Sequence, residues 1–318
     1  MSTPSRLSYT LSRRAVVGAG LAGLASPILA PGARASQQAT PEPSAGTASD
    51  LRRAIDALDG IVADAMDRTG VTGVAVAVVS SDETLAARGY GVASTETGAA
   101  VDADTIFQLA SLSKPVASTV VASIVGEGIV SWDTRVTDHL PAFALHDPWP
   151  TREVTIRDLF SHRSGLADHA GDVLEDMGYG RDEVLRRLRH LEPEYSFRAG
   201  YAYTNFGLTA GAVAAASAAG QAWEDASATR LYAPAGMTRT SSRFADFIDA
   251  GNHAATHVEV DGAWVPKYVR DADAQSPAGG VSSTATDMAR WMRLQLGGGT
   301  LDGVEIVPAA ALPETHRP

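Results

Sequence analysis

Ser111-Leu112-Ser113-Lys114 forms a Ser-x-x-Lys quartet whose lysine is one of only two in the chain, against 24 arginines. Wherever a bare positive charge is enough, this sequence uses Arg. A guanidinium stays protonated in a protein, whereas a Lys amine gives up its proton when its surroundings lower its pKa. A Lys one helical turn after a Ser places a base beside a hydroxyl, the pairing that an activated serine nucleophile needs. Serines are common enough that the quartet alone is a weak signal, so its neighbours carry the decision.

Pro115 follows the quartet and opens an apolar stretch that runs to Val125. A proline fits a helix only where its missing N–H had no partner, within the first turn. A helix over Val116–Val125 therefore begins close to Ser111, with Lys114 on the same face. The positive end of that helix disfavours a protonated amine and so suits Lys114 as a base. Further on, Tyr203-Thr204-Asn205 leads into a small-residue helix over Phe206–Ala219. Taken alone, that triplet reads as a buried tyrosine and an ordinary helix N-cap.

Three stretches together resemble the serine β-lactamase and penicillin-binding-protein superfamily, in its class C-like branch with related esterases and D-amino-peptidases. They are Phe107–Pro115 around the quartet, Leu159-Phe160-Ser161-His162-Arg163-Ser164-Gly165-Leu166, and Tyr203-Thr204-Asn205, with Ser111 and Tyr203 92 residues apart. The Pro277–Ser283 loop and the helix after it also fit. The resemblance covers residues 50 to 318. It implies acyl transfer without a cofactor or a metal: Ser111 attacks a carbonyl and carries the acyl group, and Lys114 takes or relays its proton. Tyr203 serves as base or acid, and Asn205 hydrogen-bonds Lys114 and the substrate amide. A phenol ordinarily titrates near pH 10, so Tyr203 needs positive charge beside it to act at neutral pH. The implied substrate is a small molecule or a peptide: a β-lactam, a D-amino-acid peptide or a short ester. The alternative is a non-turnover protein, either a sensor of cell-wall peptides or β-lactams or an inactive remnant.

One departure stands out. The family carries a third motif, Lys- or His-x-Gly, on a strand well after the Pro277-Ala278-Gly279-Gly280 loop, and no such motif follows here. The sole His-x-Gly, His169-Ala170-Gly171, lies upstream of Tyr203 in loop context and is not expected to substitute. The third-motif strand would supply an oxyanion-hole N–H, whose loss typically costs about 10²–10³-fold in rate. It would also cover the edge of the first strand, which is otherwise an aggregation hazard. The chain is expected to be a C-terminally truncated form of a longer hydrolase.

The elements that must hold these residues follow from pattern. Apolar residues at Leu51, Ile55, Leu58, Val62 and Met66 predict a helix over Asp50–Arg68, stopped by Gly70. Val71–Val79 reads as a strand that turns at Ser80–Glu83 and returns over Thr84–Tyr90. Residues 131–170 are rich in loops, and Arg181–Leu191 reads as a charged helix. Asp261-Gly262 predicts a two-residue hairpin between Thr256–Val260 and Ala263–Val269. Thr284 and Asp287 stand at capping-box spacing before a helix that Gly297 ends. The expected fold is α/β (α+β), β-lactamase/transpeptidase-like: an antiparallel sheet flanked by helices, plus a mainly helical subdomain from about 100 to 250, with the C-terminal sheet strands missing.

Composition narrows the rest. The chain is globular, 45% hydrophobic and 20% charged, with net charge −11. Arg6, Arg13, Arg14 and Arg34 precede Ser36 without an acidic residue, so the remainder is more negative still. That balance disfavours nucleic-acid and anionic-membrane partners. With no Cys there is no disulfide and no thiolate chemistry. Residues 1–35 read as a twin-arginine signal peptide: Ser12-Arg13-Arg14, the apolar Ala15–Ala30, then Ala33-Arg34-Ala35 before a cut at Ser36. Its apolar run is shorter than the ~20 residues of a span, so stable membrane insertion is not expected. Residues 36–49 read as a linker and 50–318 as the hydrolase domain, periplasmic or extracellular, its oligomeric state not legible. Gly18-Ala19-Gly20-Leu21-Ala22-Gly23 matches a dinucleotide fingerprint, but no strand precedes it. His162 beside Ser164 suggests a triad, yet no G-x-S-x-G elbow exists. His253 and His257 lie in a strand-like pattern without H-E-x-x-H, which argues against a metal site.

Overall fold

The computed structural model describes residues 48–317 apart from Asp82. The expected signal peptide, its glycine-rich run and nearly all of the linker lie outside the described residues.

The first helical pattern divides into α1 (Ala48–Asp56) and α2 (Leu58–Thr69). Ala57 between them keeps a near-helical backbone (φ −83°, ψ −8°), which is why the apolar spacing runs through the break. Gly70 ends α2 in the left-handed conformation, and its N–H donates to Met66 O. Strand β1 (Gly73–Val79) pairs antiparallel with β2 (Thr84–Gly91), Gly73 opposite Gly91. Gly89 is required by close approach, since a Cβ there would sit 2.4 Å from the Val101 carbonyl oxygen. Asp59 of α2 accepts from Arg88 Nη1 and Tyr90 OH of β2, both at 2.7 Å. Among the described residues this ladder has two strands, and β1 pairs with β2 alone.

The chain then runs through β3 (Phe107–Gln108), a 3-10 turn (Ala110–Leu112) and α3 (Ser113–Gly126). The region read as loop contains two short helices, α4 (Pro148–Glu153) and α5 (Ile156–Phe160). After these come α6 (Asp172–Asp176) and α7 (Arg181–Arg187), which passes into a 3-10 turn rather than continuing to Leu191. Then follow α8 (Asn205–Ala218), α9 (Trp223–Ser227) and α10 (Phe244–Asp249). Strands β4 (His257–Val260) and β5 (Ala263–Pro266) form the predicted hairpin, with Asp261 and Gly262 both at positive φ. The loop read over Pro277–Ser283 is a short helix, α11 (Ser276–Gly279), then β6 (Ser282–Ser283), which pairs with β3. Helix α12 (Ala285–Leu296) packs on β1 and β2, and a small hairpin, β7 (Thr300–Leu301) and β8 (Val304–Glu305), follows. Thr284 Oγ1 accepts from Asp287 N as predicted. The Asp287 carboxylate, however, does not complete a box; it accepts from Arg239 N and Thr240 Oγ1, both at 2.8 Å.

The helical half, residues 107 to 249, holds the main core, which centres on α3 and α8. Both helices are apolar around nearly their whole circumference, the pattern of a helix with no solvent face. In α8 the side chains of Ala210, Ala212, Ala214, Ala215 and Ala216 are fully buried. Small residues let α3, α5 and α11 all approach α8 closely. Phe206 and Trp223 fill the remaining volume.

Two irregular segments are stitched side by side. Arg198 N donates to Arg163 O, Ala202 N to His162 O, and His169 N to Tyr203 O, at 2.8–3.0 Å. Arg198 also reaches Asp158 with two contacts of 2.8 Å, and Asp158 closes a capping box with Thr155 at the start of α5. These bonds fix residues 198–204 against 161–170 and so set where Tyr203 can stand.

Candidate active site

The four residues singled out from sequence meet at the N-terminus of α3. Tyr203 OH lies 2.6 Å from Ser111 Oγ. Lys114 Nζ lies 3.1 Å from Ser111 Oγ, 2.7 Å from Asn205 Oδ1 and 2.9 Å from the Ala278 carbonyl oxygen. The Lys114 Nζ also sits 4.5 Å from the centroid of the Tyr203 ring. Ser111 is exposed, Tyr203 half-buried, and Lys114 and Asn205 are buried.

This packing decides which way Lys114 points. Asn205 Oδ1 and Ala278 O can only accept, so each requires an N–H from the amine. An unprotonated amine has two N–H bonds and one lone pair. With both N–H bonds committed, the lone pair faces Ser111 Oγ. Burial holds the Lys114 pKa below its ordinary value, opposed by the hydrogen bond and charge of Tyr203 and the charge of Asp172. Desolvation is the largest of these influences.

The backbone before Ser111 is unusual. Ala110 has φ +48°, a left-handed conformation that L-residues rarely adopt. The backbone leading into it is held by Leu109 N donating to Val281 O and by the β3–β6 pairing. Ser113 Oγ accepts from Val281 N at 3.0 Å, fixing the 276–283 segment to α3 and with it the Ala278 carbonyl. Sequence reasoning missed Ala278 because its contribution is a main-chain oxygen, and no side-chain pattern signals that.

His162 is not placed as a triad base. Its Nδ1 accepts from Thr204 N at 3.1 Å, and its ring packs 4.9 Å from the Tyr203 ring. Burial first, and the Lys114 charge second, lower its pKa to about 4. A neutral ring therefore wedges Tyr203 in place. Since the unfolded chain takes up this proton near pH 6.5 and the folded one only near 4, stability falls as pH drops through that window. The expected loss is up to about 3 kcal/mol, the free-energy equivalent of that pKa difference. His162→Asn keeps an acceptor and tolerates the positive φ of this position, but does not titrate. Denaturant melts from pH 7 to 4 should show a shallower acid decline for the variant; equal declines would refute the assignment.

His169 and Asp172 also join the site, which sequence reading did not foresee. The His169 ring lies 5.4 Å from the Tyr203 ring, and its Nδ1 is 2.8 Å from Asp172 Oδ2. Asp172 Oδ2 in turn accepts from Asn205 Nδ2 at 2.9 Å. His253 and His257 are used locally instead: His257 Nε2 accepts from Thr95 N, and His253 Nδ1 meets Ala250 O. A cavity of about 520 Å³ reaches Lys114 from the side of Pro115, His162 and Trp291 without touching Ser111. Ser111 itself is exposed to solvent.

With this geometry in hand, a model of the beta-lactamase family matches residues 58–316. The chain belongs to the beta-lactamase family. It is 32% identical over 257 residues to penicillin-binding protein 4 of Amycolatopsis lactamdurans, covering 76% of this chain and 64% of that one. It is 32% identical over 162 residues to esterase EstB of Burkholderia gladioli, 46% of this chain and 41% of the esterase. The octameric penicillin-binding protein homologue of Pyrococcus abyssi superposes with TM-score 0.68 at 18% identity, over 81% of this chain and 59% of that one. The expected α+β, β-lactamase/transpeptidase-like fold is thereby confirmed. The chain spans roughly two fifths to two thirds of the length of these relatives. Among the described residues no helix is long and apolar enough to cross a membrane.

Proposed function

We propose that this chain is an exported serine hydrolase that forms an acyl-enzyme on Ser111 and cleaves an amide or ester of a small molecule or peptide. The observation that carries the proposal is the set of contacts of Lys114 Nζ, with Ser111 Oγ at 3.1 Å and two acceptors, Asn205 Oδ1 and Ala278 O, that take up its N–H bonds. As Ser111 Oγ attacks the carbonyl carbon, its proton passes to Lys114 Nζ and a tetrahedral oxyanion forms. Tyr203 OH, within hydrogen-bond distance of the same Oγ, is placed to pass a proton to the leaving amine or alkoxide as the carbonyl re-forms. The net change is one acyl–N or acyl–O bond broken and one acyl–Oγ bond made. Water then attacks the ester by the reverse proton path and frees Ser111. Asn205 holds Lys114 and offers its amide edge to the site.

Kinship with a penicillin-binding protein and an esterase supports the reaction class. The β-lactam, D-amino-acid peptide and short ester all suit a Ser-Lys-Tyr site, since each presents an acyl carbon with a nitrogen or oxygen leaving group. The test is the intact mass of the purified chain after incubation with a fluorophosphonate or with benzylpenicillin. A stoichiometric adduct mapped to Ser111 is expected. An adduct on another residue, or none with either probe, would refute the proposal. A benzylpenicillin adduct that clears with time identifies turnover, and one that persists identifies a slowly deacylating or binding protein; the fluorophosphonate adduct is permanent and reports the nucleophile alone.

A further inference from the structure

Asn205 can face Lys114 with either end of its amide. Only one choice is compatible with Asp172. The Asp172 carboxylate accepts and cannot donate, so the Asn205 NH₂ must turn toward it, at 2.9 Å. That leaves Asn205 Oδ1 on Lys114 Nζ, at 2.7 Å. Asp172 itself is anchored at the start of α6, where His169 Nδ1 shares the same Oδ2 at 2.8 Å. Its other oxygen, Oδ1, is buried with no hydrogen-bond partner. Among the described residues no arginine pairs with it either. The arginine in this region, Arg270, binds Glu175 one turn along, which also receives Gln275 Nε2.

We propose that Asp172 is a positioning residue that locks the Asn205 amide in the orientation presenting its oxygen to Lys114. The arrangement is a relay of fixed direction: carboxylate, amide, amine, serine. It separates two jobs, because Asp172 never touches Ser111 or the open face, and acts only through Asn205. Replacing the carboxylate with an amide removes the directional constraint. Asn205 could then turn its NH₂ on Lys114, a donor against a donor, and the protonated amine would lose one of its acceptors. The inference builds on the reading of Ser111 and Lys114 as nucleophile and base only for its consequence on rate.

The charged and titratable groups around Lys114 are Tyr203 from the segment before α8, Asp172 from α6 and His162 from the loop after α5, with His169 and Glu175 behind Asp172. Of these, Tyr203 and Asp172 raise the Lys114 pKa, and His162 stays uncharged down to about pH 4. Loss of the Asp172 carboxylate and a reversed Asn205 amide therefore move Lys114 in the same direction, downward.

The chain has two lysines, so ¹³Cε-lysine NMR reports Lys114 directly, with Lys267→Arg assigning the other signal. The experiment titrates Lys114 in the full chain, in Asp172→Asn, in Asn205→Ala and in the double variant, with near-UV circular dichroism as the check on folding. The expected result is a lower Lys114 midpoint in Asp172→Asn and a clearly smaller Asp172 effect once Asn205 is gone. An unchanged or higher midpoint in Asp172→Asn overturns the proposal. So does an equal Asp172 effect in both backgrounds, since that is a through-space charge acting without Asn205. Asp172→Ser and Asn205→Ser provide the same cycle if either first variant fails to fold. The titration needs no turnover. A chain that forms no adduct with either fluorophosphonate or benzylpenicillin would sink the hydrolase reading while leaving this test readable.

Discussion

Ser111→Ala is expected to abolish covalent labelling and to lower hydrolysis by about 10⁶-fold, the scale seen when an enzyme loses its serine nucleophile. The reason is positional. Among the described residues, Ser111 Oγ is the one hydroxyl within hydrogen-bond distance of both Lys114 Nζ and Tyr203 OH. Ser113, two residues on, is fully buried, and its Oγ accepts from Val281 N, so it cannot take over. Intact mass after fluorophosphonate treatment reads the result, and a variant that still gained one probe mass at the wild-type rate would refute Ser111 as nucleophile. Because Ser111 is exposed, its truncation leaves no cavity, and the folded protein should survive to be tested.

Lys114→Arg is expected to slow acylation on the order of 10²–10⁴-fold, the usual worth of general-base catalysis. The change keeps a positive charge and so separates charge from basicity. A guanidinium offers no lone pair at any accessible pH. It also has five donors in a planar fork where Lys114 faces two carbonyl acceptors and a hydroxyl. The wild-type rate should rise with pH through the Lys114 midpoint, because the unprotonated amine is the active form. Burial places that midpoint below the ordinary lysine value, toward neutral pH. In Lys114→Arg that ascending limb should vanish from the pH profile of labelling. Normal turnover, or an unchanged limb, would show that Lys114 contributes only charge and that the base lies elsewhere.

Much of the local structure was readable from pattern. The α2 stop at Gly70, the β1–β2 ladder and the Asp261-Gly262 turn each rest on a single physical rule, whether left-handed freedom, a run dense in β-branched valine or a paired positive φ. Misreadings arose where local bonds competed. The first helix divides at Ala57 although the apolar spacing continues. Asp287 stands at box spacing, yet gives its carboxylate to Arg239 and Thr240, because a partner 48 residues away was the better bond. The region after residue 131, rich in proline, still made short helices, since proline at the first turn of α4 starts a helix rather than breaking it.

The site divides along the same line. The sequence by itself determined the groups proposed to react. Ser111 and Lys114 lie on one turn, so their meeting depends on helix geometry alone, and the scarcity of lysine marks the amine as chosen for its chemistry. Tyr203 and Asn205 could be attached to that pair only through family resemblance. Tertiary structure decided the directions. The carbonyl of Ala278, 164 residues from Lys114, and the amide of Asn205, 91 residues away, aim the lone pair at Ser111. His162 and Asp172 then fix Tyr203 and Asn205 from segments that no spacing rule connects to them. Residue types and short-range periodicity are written along the chain, but the orientation of a hydrogen bond depends on which distant acceptor the fold brings opposite it.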